Sequence, residues 1–194
     1  MNKTYRLIWS DIRQTWVVTS ELAVTRGKPS RVKPAVALLA GALASIGVHA
    51  QVPAPNALPT GGQVVGGQAS IATSGATMNI QQSSQRAIVN WQSFNIGSGA
   101  AVNFQQPNAG AVALNRVVGS DPSAIYGSLT ANGQVFLLNP SGVVFGPGAR
   151  VDVGGLVAST LGMRNDDFLS GNYRFTRDGF AGSVLNQGDL FGQY

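Results

Sequence analysis

Residues 131–153, ANGQVFLLNPSGVVFGPGARVDV, carry the pattern that decides the fold. Pairs of apolar residues recur in this stretch at intervals of eight residues, and one residue separates the two members of each pair. The pairs are Val135 with Leu137, Val143 with Phe145, and Val151 with Val153. Because residues two apart on a strand share a face, each pair marks a short strand turned toward a common interior. Three such strands with their corners take about two dozen residues, the length of one solenoid repeat.

The segments between these pairs have the composition of corners. Asn139-Pro140-Ser141-Gly142 fits a type I turn at each position: Asn can bond the backbone, Pro fixes φ, and Gly is favoured at the fourth place. Gly146 to Gly148 form a second corner. Most tetrapeptides of this kind are plain structural corners, so the composition by itself predicts a turn and no further role.

Short β-type runs continue through the chain beyond residue 67, and none of them has a sustained helical period. A β-sandwich also has short strands at regular spacing, so the period alone leaves that fold open. Residues 183–190 look like the start of a further coil, with a turn at Asn186-Gln187-Gly188. The runs are Thr77 to Ile80, Ala87 to Trp91, Ala101 to Phe104, Ala111 to Val118, Gln134 to Leu138, Val143 to Phe145, Arg150 to Val153 and Leu156 to Thr160.

The basic charge belongs to the beginning of the chain. The 194 residues carry 13 Lys and Arg against 8 Asp and Glu. Seven of the basic and two of the acidic residues precede residue 50, which leaves six Arg and six Asp, and no Lys or Glu, after it. A nucleic-acid surface needs clustered Lys or Arg, so we expect no nucleic-acid partner.

A signal-peptide pattern precedes the β-rich part. The apolar run from Pro34 to Val48 follows Arg31 and Lys33, and it ends at a small-residue site that predicts cleavage between Ala50 and Gln51. A membrane anchor would need about 20 uninterrupted apolar residues, and Gly and Ser break this run. The sequence therefore predicts a largely helical or disordered leader that is removed on export.

Catalytic groups are scarce after residue 50. The chain has no Cys, and its one His, His49, lies at the predicted cleavage site. A serine hydrolase needs His as its general base, and a zinc site needs His or Cys ligands, so the sequence after residue 50 supports neither. Asp166-Asp167, the one adjacent pair of carboxylates, is expected in a solvated loop beside Arg164. We therefore predict that the chain is not an enzyme and holds no catalytic residue, metal or cofactor.

Residues 1–33 run from Lys3 and Arg6 through Trp9 and Trp16 to a second basic patch. This pattern resembles the extended signal-peptide region of proteins exported by type V routes. A small amphipathic cytosolic helix is the alternative, but it gives no reason for the apolar run that follows. The resemblance implies export by the inner-membrane Sec translocon.

The segments AIVNWQSFNIGSG, AVALNRV, ANGQVFLLNPSGVVFG and VGGLVAST, between Ala87 and Thr160, resemble the two-partner-secretion (haemagglutination activity) domain of filamentous haemagglutinin-like exoproteins. They are most similar to the branch with the high-molecular-weight adhesins. The resemblance implies a right-handed parallel β-helix, all-β, that serves as a secretion signal. It also implies an outer-membrane β-barrel transporter with POTRA-type periplasmic domains as partner, and a product secreted or attached to the outer surface of a Gram-negative bacterium.

The resemblance also implies which corner is recognised. The family's Asn-Pro-Asn-Gly turn, linked to secretion, maps onto Asn139, Pro140, Ser141 and Gly142, with Ser replacing the third residue. The family's Asn-Pro-Asn-Leu motif is matched only by Gln106, Pro107, Asn108 and Ala109, which makes that site weak.

The expected organisation has four parts: an extended signal-peptide region (1–33), the apolar region and cleavage site (34–50), an extended segment leading into the domain (51–67), and the β-helix domain (68–194), continuing past residue 194 in an intact protein. Adhesion, through a host-surface or carbohydrate ligand bound by downstream regions, is the expected function of the whole. A contact-dependent toxin, a haem-acquisition exoprotein and a carbohydrate-active β-helix enzyme remain alternatives.

Overall fold

The computed structural model describes residues 51–177 and 182–192, together with the backbone of 6–10 and 15–19. Two compact units divide the chain, residues 1–45 and 46–194. In the first unit, strands β1 (Arg6–Ser10) and β2 (Thr15–Thr19) pair in antiparallel fashion. The apolar run and Ala50 lie outside the described residues.

The second unit is built from short strands and one five-residue helix. The helix is α1 (Asn165–Leu169). The strands are β3 (Gln63–Gly66), β4 (Ala69–Ser74), β5 (Thr77–Gln82), β6 (Arg86–Trp91), β7 (Ala101–Gln105), β8 (Val112–Val117), β9 (Ser123–Ile125), β10 (Ser128–Leu138), β11 (Val143–Phe145), β12 (Arg150–Ser159), β13 (Gly162–Met163), β14 (Phe175–Thr176), β15 (Val184–Asn186) and β16 (Asp189–Gly192). All eight predicted β-type runs overlap strands of this set.

The strands coil into a parallel β-helix of about three turns. We name its three sides by their strands. The first sheet holds β5, β7, the first half of β10, the first half of β12, and β16. The second sheet holds β6, β8 and the second halves of β10 and β12. The third sheet holds β9, β11 and β15. All these pairs are parallel, so the β-sandwich alternative is wrong.

The interior of the coil is the core that the sequence predicted. Each of the three apolar pairs lies on a different sheet, and their six side chains are at most 1% exposed within one hydrophobic cluster. Residues 183–190 contain β15 and the start of β16, and the N–H of Gly188 donates to Asn186 Oδ1 at 3.1 Å in the turn between them. The predicted further coil is therefore confirmed.

Antiparallel strands close the N-terminal end of the coil. β3 pairs with β6, and β4 pairs with β5, both antiparallel. The chain thus passes over the first coil in the reverse direction before it begins to wind. Part of the predicted leading segment, 51–67, belongs to this cap; the boundaries proposed from the sequence stay predictions.

An insertion interrupts the last described turn, between β12 and β15. It consists of β13, α1 and β14, with β13 and β14 paired antiparallel. The insertion covers the outer side of the second sheet and builds a second hydrophobic cluster there. That cluster contains Ile88, Val112, Leu114, Phe136, Leu138, Met163 and Phe168.

The sequence did not predict this outer cluster, and one prediction about the insertion needs correction. Asp166 and Asp167 were expected in a loop, but they occupy the first turn of α1. The positive end of the backbone dipole lies at that turn, where carboxylates are favoured. Among the described residues, no helix is long and apolar enough to cross a membrane.

Candidate functional site

The corner from Asn139 to Gly142 joins β10 to β11, and its own backbone closes it. The N–H of Gly142 donates to the carbonyl of Asn139 at 3.0 Å. The N–H of Ser141 donates to Asn139 Oδ1 at 2.9 Å. Gly142 has φ of 123°, a conformation that favours glycine. The four residues therefore form the hydrogen-bonded turn that their types predicted.

Asn139 is fully buried and connects this corner to the turns of the coil on both sides. Its Nδ2 donates to the carbonyl of Asp121 and to Ser123 Oγ, each at 3.0 Å, in the preceding turn. Its N–H donates to the carbonyl of Ser159 in the following turn at 2.9 Å. An amide in this position cannot be replaced by an apolar group without leaving buried partners unpaired.

The chain entering β15 then passes over the corner. The N–H of Val143 donates to the carbonyl of Ser183 at 2.9 Å. A Cβ added to Gly182 would clash with the carbonyl of Pro140, so the two segments touch. Gly142 is buried, whereas Pro140 and Ser141 are half-buried. The folded corner therefore shows only the proline and the serine at its surface.

Similar hydrogen bonding recurs one turn earlier, and the sequence reasoning missed it. The N–H of Ala124 donates to Asn95 Oδ1 at 2.8 Å, so an asparagine also fixes the preceding corner to its neighbour. Asp121-Pro122 stands before β9 as Asn139-Pro140 stands before β11. Ser123 pairs with Val143, so Asp121-Pro122 lies two residues nearer to its strand than Asn139-Pro140 does, and the two prolines do not reveal the alignment of the corners.

The weak second motif lies at a different corner, between β7 and β8. Gln106 is 7% exposed, and its Nε2 lies 3.1 Å from the carbonyl of Ala111 and 3.2 Å from that of Gln134. Gln106 Nε2 also lies 3.3 Å from Gln82 Oε1. Asn132 bonds the backbone N–H and carbonyl of Gln106, both at 2.7 Å. Gln106 therefore joins three turns of the coil.

Pro107 and Asn108 are exposed, and Asn108 Nδ2 donates to Gln85 Oε1 at 2.7 Å. The Gln106 corner precedes the strands of the second sheet, and the Asn139 corner follows them. The two corners therefore lie at opposite ends of those strands, and the structure does not bring the two motifs together. Of the predicted cleavage site, Gln51 is exposed and Ala50 is outside the described residues. Within the described part of the chain, no three His, Cys, Asp or Glu side chains are grouped as metal ligands would be.

A capped parallel β-helix behind an N-terminal leader defines the class to which this chain belongs, that of exported β-helical proteins. The model of the TPS secretion domain, TPS standing for two-partner secretion, matches residues 50–194, and that of the Extended Signal Peptide of Type V secretion system matches residues 1–50. The chain therefore belongs to the TPS secretion domain family.

Relatives and a solved structure agree with this assignment. The chain is 43% identical over 135 residues to a heme/hemopexin-binding protein of Haemophilus influenzae strain Rd, and 45% identical over 116 residues to another protein of that name from Haemophilus influenzae. These matches cover 69% and 60% of the chain but 15% and 12% of the relatives. The crystal structure of the HMW1 secretion domain from Haemophilus influenzae matches with a TM-score of 0.64 at 36% identity, over 67% of this chain and 35% of that one.

These matches establish the role of the described domain. It is the secretion-signal domain of an exported protein, and the leader directs the chain across the inner membrane for secretion or surface display by a Gram-negative bacterium. The matched families are a secretion domain and a signal peptide, and neither is a family of enzymes. Membership implies a cognate outer-membrane transporter and export by Sec.

Proposed function

We propose that the transporter's POTRA-type periplasmic domains recognise the corner from Asn139 to Gly142 before the β-helix folds. The observation that carries this proposal is how far along the chain each hydrogen bond of the corner reaches. The bonds from Ser141 and Gly142 to Asn139 stay within four residues, so an unfolded chain can form them. The bonds from Asn139 to Asp121 and Ser123 reach back 18 and 16 residues and need the preceding turn. An unfolded segment can therefore present a turn that folding later buries.

Burial of Asn139 on folding sets the order of two events, recognition by the transporter first and release from it second. The amide is accessible to a partner in the unfolded chain, and in the folded domain it is 0% exposed and fully bonded to protein. Folding and recognition thus compete for the same side chain. Transporter binding is strongest in the periplasm, where the chain is unfolded, and ends when the domain folds at the cell surface.

Stacking of coils supplies free energy for outward movement. Each added turn contributes side chains such as Leu129, Leu137 and Phe145 to the interior, all of them at most 1% exposed. Burial of one such side chain contributes about 1.5–3 kcal/mol gross, before the entropy of ordering the chain is subtracted. Because a solenoid grows by contacts between neighbouring repeats, each completed coil is a template for the next. Folding outside the cell therefore biases the chain outward without ATP.

We expect the cargo to lie in regions that follow the secretion domain, because the chain spans only 15% and 12% of the two relatives. An adhesin that binds a host-surface or carbohydrate ligand through downstream regions is the first candidate, supported by the match to the HMW1 secretion domain. Haem acquisition is the second candidate, because the two related Haemophilus proteins are named for heme and hemopexin binding. Mass spectrometry of host proteins captured by the intact exoprotein distinguishes a hemopexin ligand from a cell-surface glycan.

Secretion of corner variants tests the recognition role. The full chain is co-expressed with its transporter, and pulse-chase labelling measures the fractions in the periplasm and outside the cell. We expect Asn139→Ala and Pro140→Ala to lower the external fraction several-fold.

Asn115→Ala is the matched control for stability. Asn115 is also a buried asparagine, and its Oδ1 accepts a hydrogen bond from Trp91 Nε1 at 3.0 Å inside the coil, away from the corner. If Asn115→Ala reduces secretion as much as Asn139→Ala does, the corner acts only through stability. Normal export of both corner variants would also contradict recognition.

A further inference from the structure

Asn132-Gly133 is the one place in the 194 residues where Gly follows Asn. The pair lies inside β10, at the bend where this strand leaves the first sheet and enters the second. Pairing of β10 with β7 ends at Ala131, and pairing with β8 begins at Gln134. The register with β12 also skips the two residues. They are therefore a corner of the coil that none of these ladders includes.

This corner has no room for a side chain after Asn132. A Cβ added to Gly133 would lie 2.7 Å from the carbonyl oxygen of Ala111 and 2.8 Å from Gln106 Oε1. A Cβ added to Gly154, in the next turn, would lie 2.9 Å from the carbonyl oxygen of Gly133. The turns on both sides thus enclose Gly133, and packing requires glycine at this position.

The side chain of Asn132 takes the place of a peptide group. Although the residue is exposed, its amide forms two short hydrogen bonds with the backbone of one residue in the preceding turn. The N–H of Gln106 donates to Asn132 Oδ1, and Asn132 Nδ2 donates to the carbonyl of Gln106, both at 2.7 Å. Both ends of the amide are therefore occupied, and its orientation is fixed.

An asparagine followed by glycine is chemically labile when the chain is free to move. The backbone nitrogen of the glycine attacks Cγ of the asparagine, because no Cβ shields that nitrogen. The Cγ–Nδ2 bond breaks, ammonia leaves with the proton of the attacking nitrogen, and a five-membered succinimide ring forms. Water then opens the ring at either carbonyl and gives an aspartyl or an isoaspartyl residue. The net reaction consumes one water, releases one ammonia and changes no oxidation state.

Folding opposes this reaction at Asn132. Its Cγ can reach the nitrogen of Gly133 only if the amide turns away from Gln106 and both 2.7 Å hydrogen bonds break. Two hydrogen bonds of ordinary net strength correspond to a factor of about thirty in rate. The same contact that joins the two turns therefore protects the amide.

We propose that Asn132 is a site of spontaneous deamidation, open while the chain is unfolded and closed in the folded domain, and that the reaction destroys the corner. The new carboxylate has no N–H for the carbonyl of Gln106, so two acceptor oxygens face each other. The isoaspartyl product also adds a methylene to the backbone beside Gly133, where the turns leave no room. Modification of the unfolded chain then makes its failure to fold irreversible. This inference is independent of recognition by the transporter.

The rates in the folded and the unfolded chain test the first part of the proposal. The exported protein is incubated at mildly alkaline pH with and without urea, and peptide mass spectrometry measures the loss of amide at each asparagine. We expect the loss at Asn132 to be about thirtyfold slower without urea. Asn103, which Phe104 follows, is the internal control and should react slowly under both conditions.

Gly133→Ala is the matched variant in urea, where its fit to the fold does not matter. The added Cβ shields the backbone nitrogen, so deamidation of Asn132 should slow several-fold. The proposal is overturned by equal rates of the two chains in urea, by equal rates at Asn132 with and without urea, or by a loss in urea no faster than that at Asn103.

Asn132→Asp tests the consequence for the fold, through the urea midpoint of the exported variant. Asn108→Asp is the control, because it adds the same charge at an exposed asparagine of the preceding corner, whose Nδ2 donates to a side chain, Gln85 Oε1, at 2.7 Å. We expect a lower midpoint for Asn132→Asp than for Asn108→Asp, or no folded Asn132→Asp beside folded Asn108→Asp. Equal midpoints would contradict the second part of the proposal.

Discussion

The outer faces of the first and second sheets differ although the same coils build both. On the first sheet, Asn103 Nδ2 donates to Asn79 Oδ1 at 3.1 Å and Thr130 Oγ1 donates to Asn103 Oδ1 at 2.8 Å, which makes a polar ladder along the surface. On the second sheet the corresponding row is Ile88, Leu114 and Phe136, stacked in register and at most 5% exposed. The polar side chains of the first sheet can face solvent, whereas the apolar row of the second sheet needs the insertion to cover it.

The largest expected effect is at Phe136, in the covered face. Its ring lies 5.0 Å from that of Tyr173 and 6.1 Å from that of Phe168, centroid to centroid, both from the insertion. We expect Phe136→Ala to lower the free energy of unfolding by about 3–5 kcal/mol, as for a buried aromatic in a core. Urea unfolding of the exported protein measures this.

Phe145→Ala is the control for that prediction, because Phe145 has the same side chain and faces the interior of the coil, 1% exposed. The two variants should lose similar stability. A loss below about 1 kcal/mol for Phe136→Ala, beside a full loss for Phe145→Ala, would show that the insertion is a loose cover and that the outer cluster is not a core.

A smaller effect is expected at the corner between the two faces. Gln106→Ala removes an amide that bonds three turns and leaves the carbonyls of Ala111 and Gln134 with fewer donors. We expect a loss of about 1–3 kcal/mol, the cost of buried polar groups without partners. Gln105→Ala, at the exposed neighbouring residue, is the control in the same denaturation experiment. Equal effects of the two variants would mean that Gln106 does not join the turns.

The smallest effect is expected on the polar ladder. Asn103→Ala removes one exposed and one part-buried hydrogen bond, so we expect a loss of about 0.5–1 kcal/mol. Asn79→Ala removes one of the same bonds and should cost less. Thermal unfolding of both single variants and the double variant gives their coupling. A loss at Asn103 as large as that at Phe136 would remove the distinction between the two faces.

The sequence could predict the interior of the coil because its signal is local. Val135 and Leu137 are two residues apart, so their common face follows from strand geometry alone. The turn of Asn139 to Gly142 is equally local, and its residue types predicted it. The leader and the family followed from motifs that lie within short stretches of chain.

The outer cluster also has a pattern in the sequence, but that pattern predicts only part of what the structure shows. Val135-Phe136-Leu137-Leu138 is apolar at every position, a pattern typical of a strand buried on both faces, whereas Met78-Asn79-Ile80-Gln81 alternates. The run predicts that the outer face of the second sheet is covered, but it does not identify the segment that covers it. The cover comes from a five-residue helix and two-residue strands, which are too short to show a period.

The hydrogen-bond partners of Asn139 could not be predicted from the sequence, for a different reason. Which residues of one turn stand beside the next depends on the length of each coil, and this length varies: 24 residues separate Asn79 from Asn103, and 27 separate Asn103 from Thr130. Asp121 and Ser123 could therefore not be assigned to Asn139 by spacing.

The reversed strands β3 and β4 make the two ends of the coil chemically unlike. A rising coil pairs with the one below it in parallel, whereas β3 and β4 run antiparallel to the strands that they border, so the parallel ladder stops at them. A coil of another copy would have to change its pairing type to stack on this end, which makes the end a poorer template for head-to-tail association than a plain parallel edge. The cap thus favours growth of the ladder from the other end of the coil.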